Sequence, residues 1–169
     1  MHPRKNLPNL IAAFFQFKKM SNANMKFLVV GNVMWETEGL KDLLSSSKYS
    51  QDIHFLGRKS DEQLAKILGA AFALSYVPFF EGFGIPIVEA FACETPVITS
   101  NTTCMPEVSG EAALMVNPHE IDEICGAMIT LFSNPTFRND LIEKGKVKCA
   151  EYSWEKTAKL YWESIKKTF

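Results

Sequence analysis

The sequence predicts an α/β fold, a doubly wound parallel sheet with helices on both faces, in a single domain over residues 1–169. Three observations carry this expectation. Short solid apolar runs alternate with helix-period segments across most of the chain, the pattern of βαβ units with right-handed crossovers. A length of 169 residues is enough for one compact core and short for two. No Pro/Gly/Ser-rich linker, internal repeat or low-complexity tract divides the chain.

The elements follow in order. Leu7, Leu10, Ile11, Phe14 and Phe17 recur at helical spacing and predict an opening amphipathic helix. Residues 26–31 form an apolar run ending in glycine, which reads as a strand buried on both faces. A weaker amphipathic stretch with Leu40, Leu43 and Leu44 follows, then a second strand pattern over 53–57. Ser60-Asp61-Glu62-Gln63 has the form of a capping box, in which Ser60 accepts from the Gln63 amide and the Gln63 side chain reaches back. The helix it opens carries Leu64, Ile67 and Leu68 on one face. Residues 72–77 read as a strand, 85–93 as a helix, 96–99 and 112–116 as strands. Three helical patterns close the chain over about 120–132, 136–151 and 153–167, the last capped by Ser153 with Trp154, Ala158, Tyr161 and Ile165 on one face. A doubly wound sheet normally opens on a strand and this chain opens on a helix. The first strand is therefore expected to be missing, or residues 1–6 to be irregular.

Composition excludes several functions. Lysine and arginine number 18 against 19 acidic residues, a net charge of -1, which leaves no footprint for nucleic acid or an anionic membrane. A hydrophobic fraction of 47% with 22% charged residues argues against disorder. Cys93, Cys104, Cys125 and Cys149 form no CxxC pair or metal-ligand spacing, and no secretory segment opens the chain, so a cytoplasmic setting is expected. No apolar stretch approaches the ~18 residues that cross a bilayer. His2, His54 and His119 read as surface or structural residues, and Lys144, Lys146 and Lys148, spaced every second residue, as solvated charge.

In an open parallel sheet, ligands bind beyond the carboxyl ends of the strands and near helix N-termini. The richest such segment is 79–90. Gly82 and Gly84 flank Phe83 between a strand and a helix, so the amides of residues 82–85, ending at Ile85, can approach a ligand where the helix offers unpaired donors. That suits phosphate. Pro86 fits the first helical turn. Glu81 precedes the glycines and Glu89 lies in the helix, where a carboxylate could accept from a pair of vicinal hydroxyls. A glycine pair before a helix also describes a plain turn, and Glu89 an ordinary surface acid. Its neighbours Ile85, Ile87, Val88, Ala90, Phe91 and Ala92 argue instead for a buried helix whose one acid needs partners.

Residues 76–101, YVPFFEGFGIPIVEAFACETPVITSN, resemble the signature of the donor-binding, C-terminal domain of glycosyltransferase family 4, the retaining GT-B enzymes, and Glu81 and Glu89 fall on that family's two glutamates. Pro3-Arg4-Lys5-Asn6, Phe55-Leu56-Gly57, Met105-Pro106-Glu107-Val108 with Gly110, and Tyr152-Ser153-Trp154 with Ala158 resemble further elements of the same family, so the similarity runs over about residues 3–165. The resemblance implies a Rossmann-like half of a GT-B fold that binds a nucleotide-diphosphate sugar without a metal. Lys5 and Glu81 would be catalytic, Lys5 neutralising the diphosphate and Glu81 lying against the sugar. Glu89 would hold the ribose, Gly82, Phe83, Gly84 and Ile85 would face sugar and diphosphate, and Arg58 with its neighbours would lie near the base.

The sequence departs from the family at three points. The strand ending in Gly-Arg that normally precedes the lysine is not in residues 1–169. Nor is the N-terminal domain that binds the glycan or lipid-linked acceptor, so this portion alone is expected to be inactive. Glu94 stands where the family has a glycine suited to a left-handed helix end, at a cost of about 1 kcal/mol. The aromatic face of the last helix is either core or a contact with that absent domain. The implied reaction is hexose transfer, with GDP-mannose favoured and UDP-sugars open, by a protein that could associate peripherally with a membrane. The alternatives are another GT-B enzyme, of the sugar-nucleotide epimerase or glycogen synthase type, and a non-catalytic nucleotide-binding or receiver-type domain. The lack of an acid over residues 31–34 argues against a receiver.

Overall fold

The structure, a computed structural model, describes residues 2–32 and 39–168. A 3-10 turn, Pro3–Lys5, leads into α1 (Leu7–Ser21), β1 (Phe27–Val30), α2 (Leu40–Ser45), a second 3-10 turn (Lys48–Asp52) and β2 (Ile53–Gly57). Next come α3 (Asp61–Ala70), β3 (Leu74–Tyr76), α4 (Ile85–Ala92), β4 (Val97–Ser100), α5 (Met105–Ser109), a 3-10 turn (Gly110–Ala112) and β5 (Ala113–Val116). The chain closes with α6 (Ile121–Ser133), α7 (Pro135–Cys149) and α8 (Trp154–Lys166).

Every strand pair among the described residues is parallel, as expected. The sheet, however, is in two parts: β1 pairs with β2, and β3, β4 and β5 pair in that order. Alternation along the strands sends Ile98 and Val116 into a core with α1, α6 and Val29, and sends Val97 and Ala113 into a second core with α3, α4 and α5. The double winding therefore comes from neighbouring residues of one strand facing opposite helical layers.

Local chemistry sets the boundaries. Pro8 lies in the first turn of α1, and the helix stops at Asn22, which takes the left-handed conformation (φ 53°). The Ser60 capping box forms with both of its hydrogen bonds. Glu94 follows α4 at φ 56°, the left-handed position anticipated for it, and its carboxylate pairs with Lys146 at 3.0 Å. Lys18, only 6% exposed, donates to the carbonyls of Ala23 (2.6 Å) and Met25 (3.1 Å) and pairs with Asp52 at 2.9 Å. Lys26 pairs with the same carboxylate, so one buried acid ties α1 to the turn before β2.

Four expectations change. β1 is not buried on both faces: Leu28 and His54, opposite each other in the β1–β2 register, are exposed, because only the alternate face meets α1. α4 is not buried all round, since Ile85 and Ala92 are exposed at its two ends. Residues 105–109, between the predicted strands and given no helix in the sequence reading, form α5, a short helix started by Pro106. α8 contributes no buried residue, so its aromatic face is not core. His2, His54 and His119 are exposed, and Lys144, Lys146 and Lys148 make surface ion pairs, as the sequence suggested.

Glu94→Gly relieves the left-handed strain and gives up only an exposed ion pair, so it raises stability by about 0.5–1 kcal/mol, measured as a higher denaturation midpoint. The Lys26 and Lys18 hydrogen bonds hold Asp52 below its ordinary pKa. A carboxyl so depressed contributes stability that is fully present above its unfolded pKa and lost as pH falls through the folded value. Asp52→Asn therefore melts lower than the parent at pH 7, and the gap closes as both are titrated below about pH 4.

Candidate functional site

The segment before α1 is pinned to the carboxyl ends of β3 and β5. Asn6, 1% exposed and itself left-handed (φ 60°), spends its side-chain amide on the carbonyls of Val77 (3.0 Å) and Pro118 (2.7 Å). Asn9 also donates to Pro118, at 3.1 Å. The Phe79 amide donates to the Arg4 carbonyl at 2.9 Å, which fixes the backbone of the turn beside the loop that leaves β3.

This anchoring brings two cations onto one acid. Glu81 Oε1 lies 2.5 Å from Arg4 Nη1 and 2.6 Å from Lys5 Nζ, and Lys5 Nζ also donates to Tyr76 Oη at 2.7 Å. Burial pushes the Glu81 carboxyl upward, but hydrogen bonds from Lys5 and Tyr76 and the charges of Lys5 and Arg4 outweigh it and hold it below the usual range. Burial, then the nearby Glu81 carboxylate, raises the Tyr76 hydroxyl well above its ordinary value, so Tyr76 stays a neutral donor.

After Glu81 the chain turns into α4. Gly84 sits at φ 97°, so glycine is required there for conformation, and a Cβ would in addition lie 2.7 Å from Met105 Cε, the flexible end of a side chain that would have to shift. Gly82 is different: a Cβ there meets nothing within 4 Å. Phe83 is exposed and packs edge-on against Tyr152, ring centroids 5.6 Å apart, while Ile85 is half exposed. Among the described residues no acceptor takes the amides of Gly82, Phe83, Gly84 or Ile85, so the start of α4 presents free donors.

A cavity of about 770 Å³ opens alongside. Lys5, Asn32, Arg58, Lys59, Pro86 and Glu89 are among the residues that line it. Asn32 Oδ1 accepts from the Arg58 amide at 3.2 Å, which joins the ends of β1 and β2. Glu89 is half buried, and no described residue donates a hydrogen bond to its carboxylate; burial, and secondarily the charge of Asp61, pushes its pKa up. No group of three or more His, Cys, Asp or Glu able to hold a metal occurs among the described residues. A smaller depression of about 350 Å³ beside Glu111 holds Lys144 and Lys148, but each is already neutralised, by Asp140 and Glu151.

The structure thus brings Lys5, Arg58 and Glu89 to one cavity and joins Glu81 to it through Lys5, whereas residues 82–85 do not line it, although Pro86 next to them does. Arg4 and Tyr76 were missed as site residues. The signal for Arg4 was its place beside Lys5 in the Pro3-Arg4-Lys5-Asn6 element, and for Tyr76 its position at the end of a predicted strand. Of residues 31–34, used against a receiver domain, Val33 and Met34 lie outside the described residues.

Residues 1–148 match the family profile described as glycosyl transferases group 1. The O-antigen chain mannosyltransferase B of Escherichia coli is 32% identical over 155 residues, covering 92% of this chain and 41% of that protein. The MMP alpha-(1->4)-mannosyltransferase of Mycolicibacterium hassiacum is 28% identical, covering 92% of this chain and 38% of the other. The chain therefore spans about two-fifths of the length of these relatives. Among solved structures, Anabaena Alr3699/HepE in complex with UDP-glucose superposes with a TM-score of 0.86 at 18% identity, covering 99% of this chain and 46% of that one. Sucrose-phosphate synthase from Thermosynechococcus elongatus gives 0.83 at 23% identity, covering 98% and 44%. These likenesses show the fold.

Gly84→Ala places a methyl group against Met105 in a conformation that alanine resists, and it lowers stability by about 1–3 kcal/mol, whereas Gly82→Ala shifts it by less than about 0.5 kcal/mol. Paired denaturation curves measure both.

Proposed function

The chain belongs to the group 1 glycosyl transferases, and from that premise we propose that it is the donor-binding half of a retaining, family 4 hexosyltransferase. The observation that carries the reading is the unpartnered, half-buried Glu89 in the same cavity as Lys5 and Arg58, beside the free amides that open α4. Glu89 accepts the two ribose hydroxyls of a nucleotide-diphosphate sugar, and Arg58 with its neighbours lies near the base. The amides of residues 82–85 face the sugar and the diphosphate, and Glu81 lies against the sugar hydroxyls.

As the glycosidic bond breaks, negative charge grows on the diphosphate and positive charge on the sugar. Lys5, Arg4 and the N-terminus of α4 stabilise the leaving group, so the reading gives this role to protein groups and assigns no metal to it. Glu81 now occupies both cations, and the arriving diphosphate takes Lys5 in its place. Retention follows a front-face course in which the departing phosphate helps to deprotonate the acceptor.

The donor is GDP-mannose, a reading supported by the relatives named as mannosyltransferases; the UDP-glucose held by Alr3699/HepE keeps a UDP-sugar as the alternative. The acceptor is a glycan or a lipid-linked glycan, bound by an N-terminal domain outside residues 1–169, and residues 1–169 alone are inactive. The longer protein works in the cytoplasm or at a membrane surface. No described helix is long and apolar enough to span a bilayer.

Calorimetric titration with GDP, UDP and ADP tests the assignment. One diphosphate binds in preference, and Glu89→Ala weakens it roughly 10–100-fold, the loss expected when paired hydroxyls lose a buried acceptor. Lys5→Ala weakens the diphosphate more than the corresponding nucleoside, while Glu89→Ala weakens both alike. Equal affinity for the three diphosphates with and without Glu89 defeats the reading.

A further inference from the structure

We infer that Tyr76 is a positioning residue of this site: its hydroxyl holds Glu81 in place when the diphosphate of a donor draws Lys5 away. The inference rests on the donor-binding reading and adds a residue to which that reading gives no role. Lys5 Nζ stands 2.6 Å from Glu81 Oε1, 2.7 Å from Tyr76 Oη and 4.9 Å from the centre of the Tyr76 ring. One ammonium thus spans the acid and the phenol. An ammonium can only donate, so Tyr76 Oη accepts from it, and the phenol proton goes to Glu81. Lys5 and Tyr76 line the cavity, whereas Glu81 does not. A diphosphate in the cavity therefore meets Lys5 rather than Glu81 and competes for that ammonium.

The partners of the Glu81 carboxylate are held in different ways. Arg4 and Lys5 reach it on long side chains from the opening 3-10 turn, and the Arg4 side chain is 40% exposed. Tyr76 ends β3, pairs with Thr99 of β4 in the parallel ladder, and carries its hydroxyl on a ring with two torsions. A cation is itself drawn toward an arriving anion; a neutral phenol is drawn far less. When Lys5 turns to the diphosphate, Glu81 loses a cation and gains an anionic neighbour while its burial remains, and both changes favour its protonation. A protonated Glu81 is a poorer acceptor for sugar hydroxyls. The groups that face Glu81 are Arg4 and Lys5 from the turn, Tyr76 from β3, and Cys104 ahead of α5, whose thiol donates to the Glu81 carbonyl at 3.1 Å. Phenylalanine at position 76 keeps the ring beside Lys5 and removes only the oxygen.

The test titrates residues 1–169 calorimetrically with GDP-mannose, and with UDP-glucose if GDP-mannose does not bind, between about pH 5 and about pH 8 in buffers of different ionisation heat. Both phosphates of a nucleotide sugar stay ionised over this range, so protons taken up on binding go to the protein. The parent and Glu81→Gln take up the same number, because Tyr76 keeps Glu81 ionised with Lys5 gone. Tyr76→Phe takes up a further fraction of a proton near the acid end. It binds roughly tenfold more weakly than the parent at the alkaline end, and the gap narrows as pH falls, since uptake on binding raises affinity at low pH. Adding Glu81→Gln to Tyr76→Phe removes that narrowing. A purely structural role for Tyr76 gives a gap independent of pH; that result, or no gap, overturns the inference. Greater uptake by the parent than by Glu81→Gln overturns it as well, a comparison that stands even if Tyr76→Phe does not fold. Binding of neither nucleotide sugar by the parent overturns the donor-binding reading, and this inference with it.

Discussion

The buried side-chain amide of Asn6 is the constraint on which the rest of the site depends. It bridges carbonyls that follow two different strands, Val77 after β3 and Pro118 after β5. Asn6 does not cap α1 with its side chain, although it stands at the N-cap position, because that amide is committed elsewhere. Pro118 keeps a second donor in Asn9, but the Val77 carbonyl has its hydrogen bond from Asn6, and an orphaned buried acceptor costs about 1–3 kcal/mol. The backbone of residues 2–6 is therefore held by the ends of the sheet rather than by its own short turn. Arg4 and Lys5, adjacent in sequence, are thereby carried to the mouth of the cavity. Without that anchor the two cations would belong to a free segment and would have no fixed relation to Glu81.

Around that anchor the charges are arranged unequally. Glu81 has two cations and a phenol for one carboxylate, which keeps it ionised in spite of its burial. Glu89, a few residues on, has none of these, and its burial works against ionisation. A fold selected only for stability would share its donors between the two acids. The free amides at the start of α4 and the left-handed backbone that demands glycine at position 84 belong to the same pattern: polar groups left unsatisfied and a backbone held in a rare conformation, both at one end of the sheet.

Much of this was legible in the sequence, and the exceptions share a cause. Periodicity located α1, α4, α6, α7 and α8, and the short apolar runs located all five strands, because each element's own residues encode its spacing. Glu94 could be read as left-handed from the residue type a helix end requires, and the Ser60 box from local hydrogen bonding. The features that escaped depend on what lies across the fold. An apolar run cannot report that β1 has a helix on one face only, nor that the sheet is split between β1 and β3. The α8 stripe looks like core until its neighbours are known. Lys5, Glu81 and Glu89 were singled out by resemblance and by their setting, while Arg4 and Tyr76 join the cluster only because Asn6 folds the first turn back onto β3.

The isolation of α8 has an optical consequence. Two of the three tryptophans, Trp154 and Trp162, sit on this helix with 79% and 58% of their surface in contact with solvent. Indole emission from a side chain already in water changes little when the surrounding chain unravels. Emission from these two tryptophans will therefore report mainly on what docks against this terminal helix, and only weakly on the melting of the sheet beneath. A denaturation curve followed by light emission and one followed by peptide-bond dichroism need not coincide for this molecule, even if its interior unfolds in a single step.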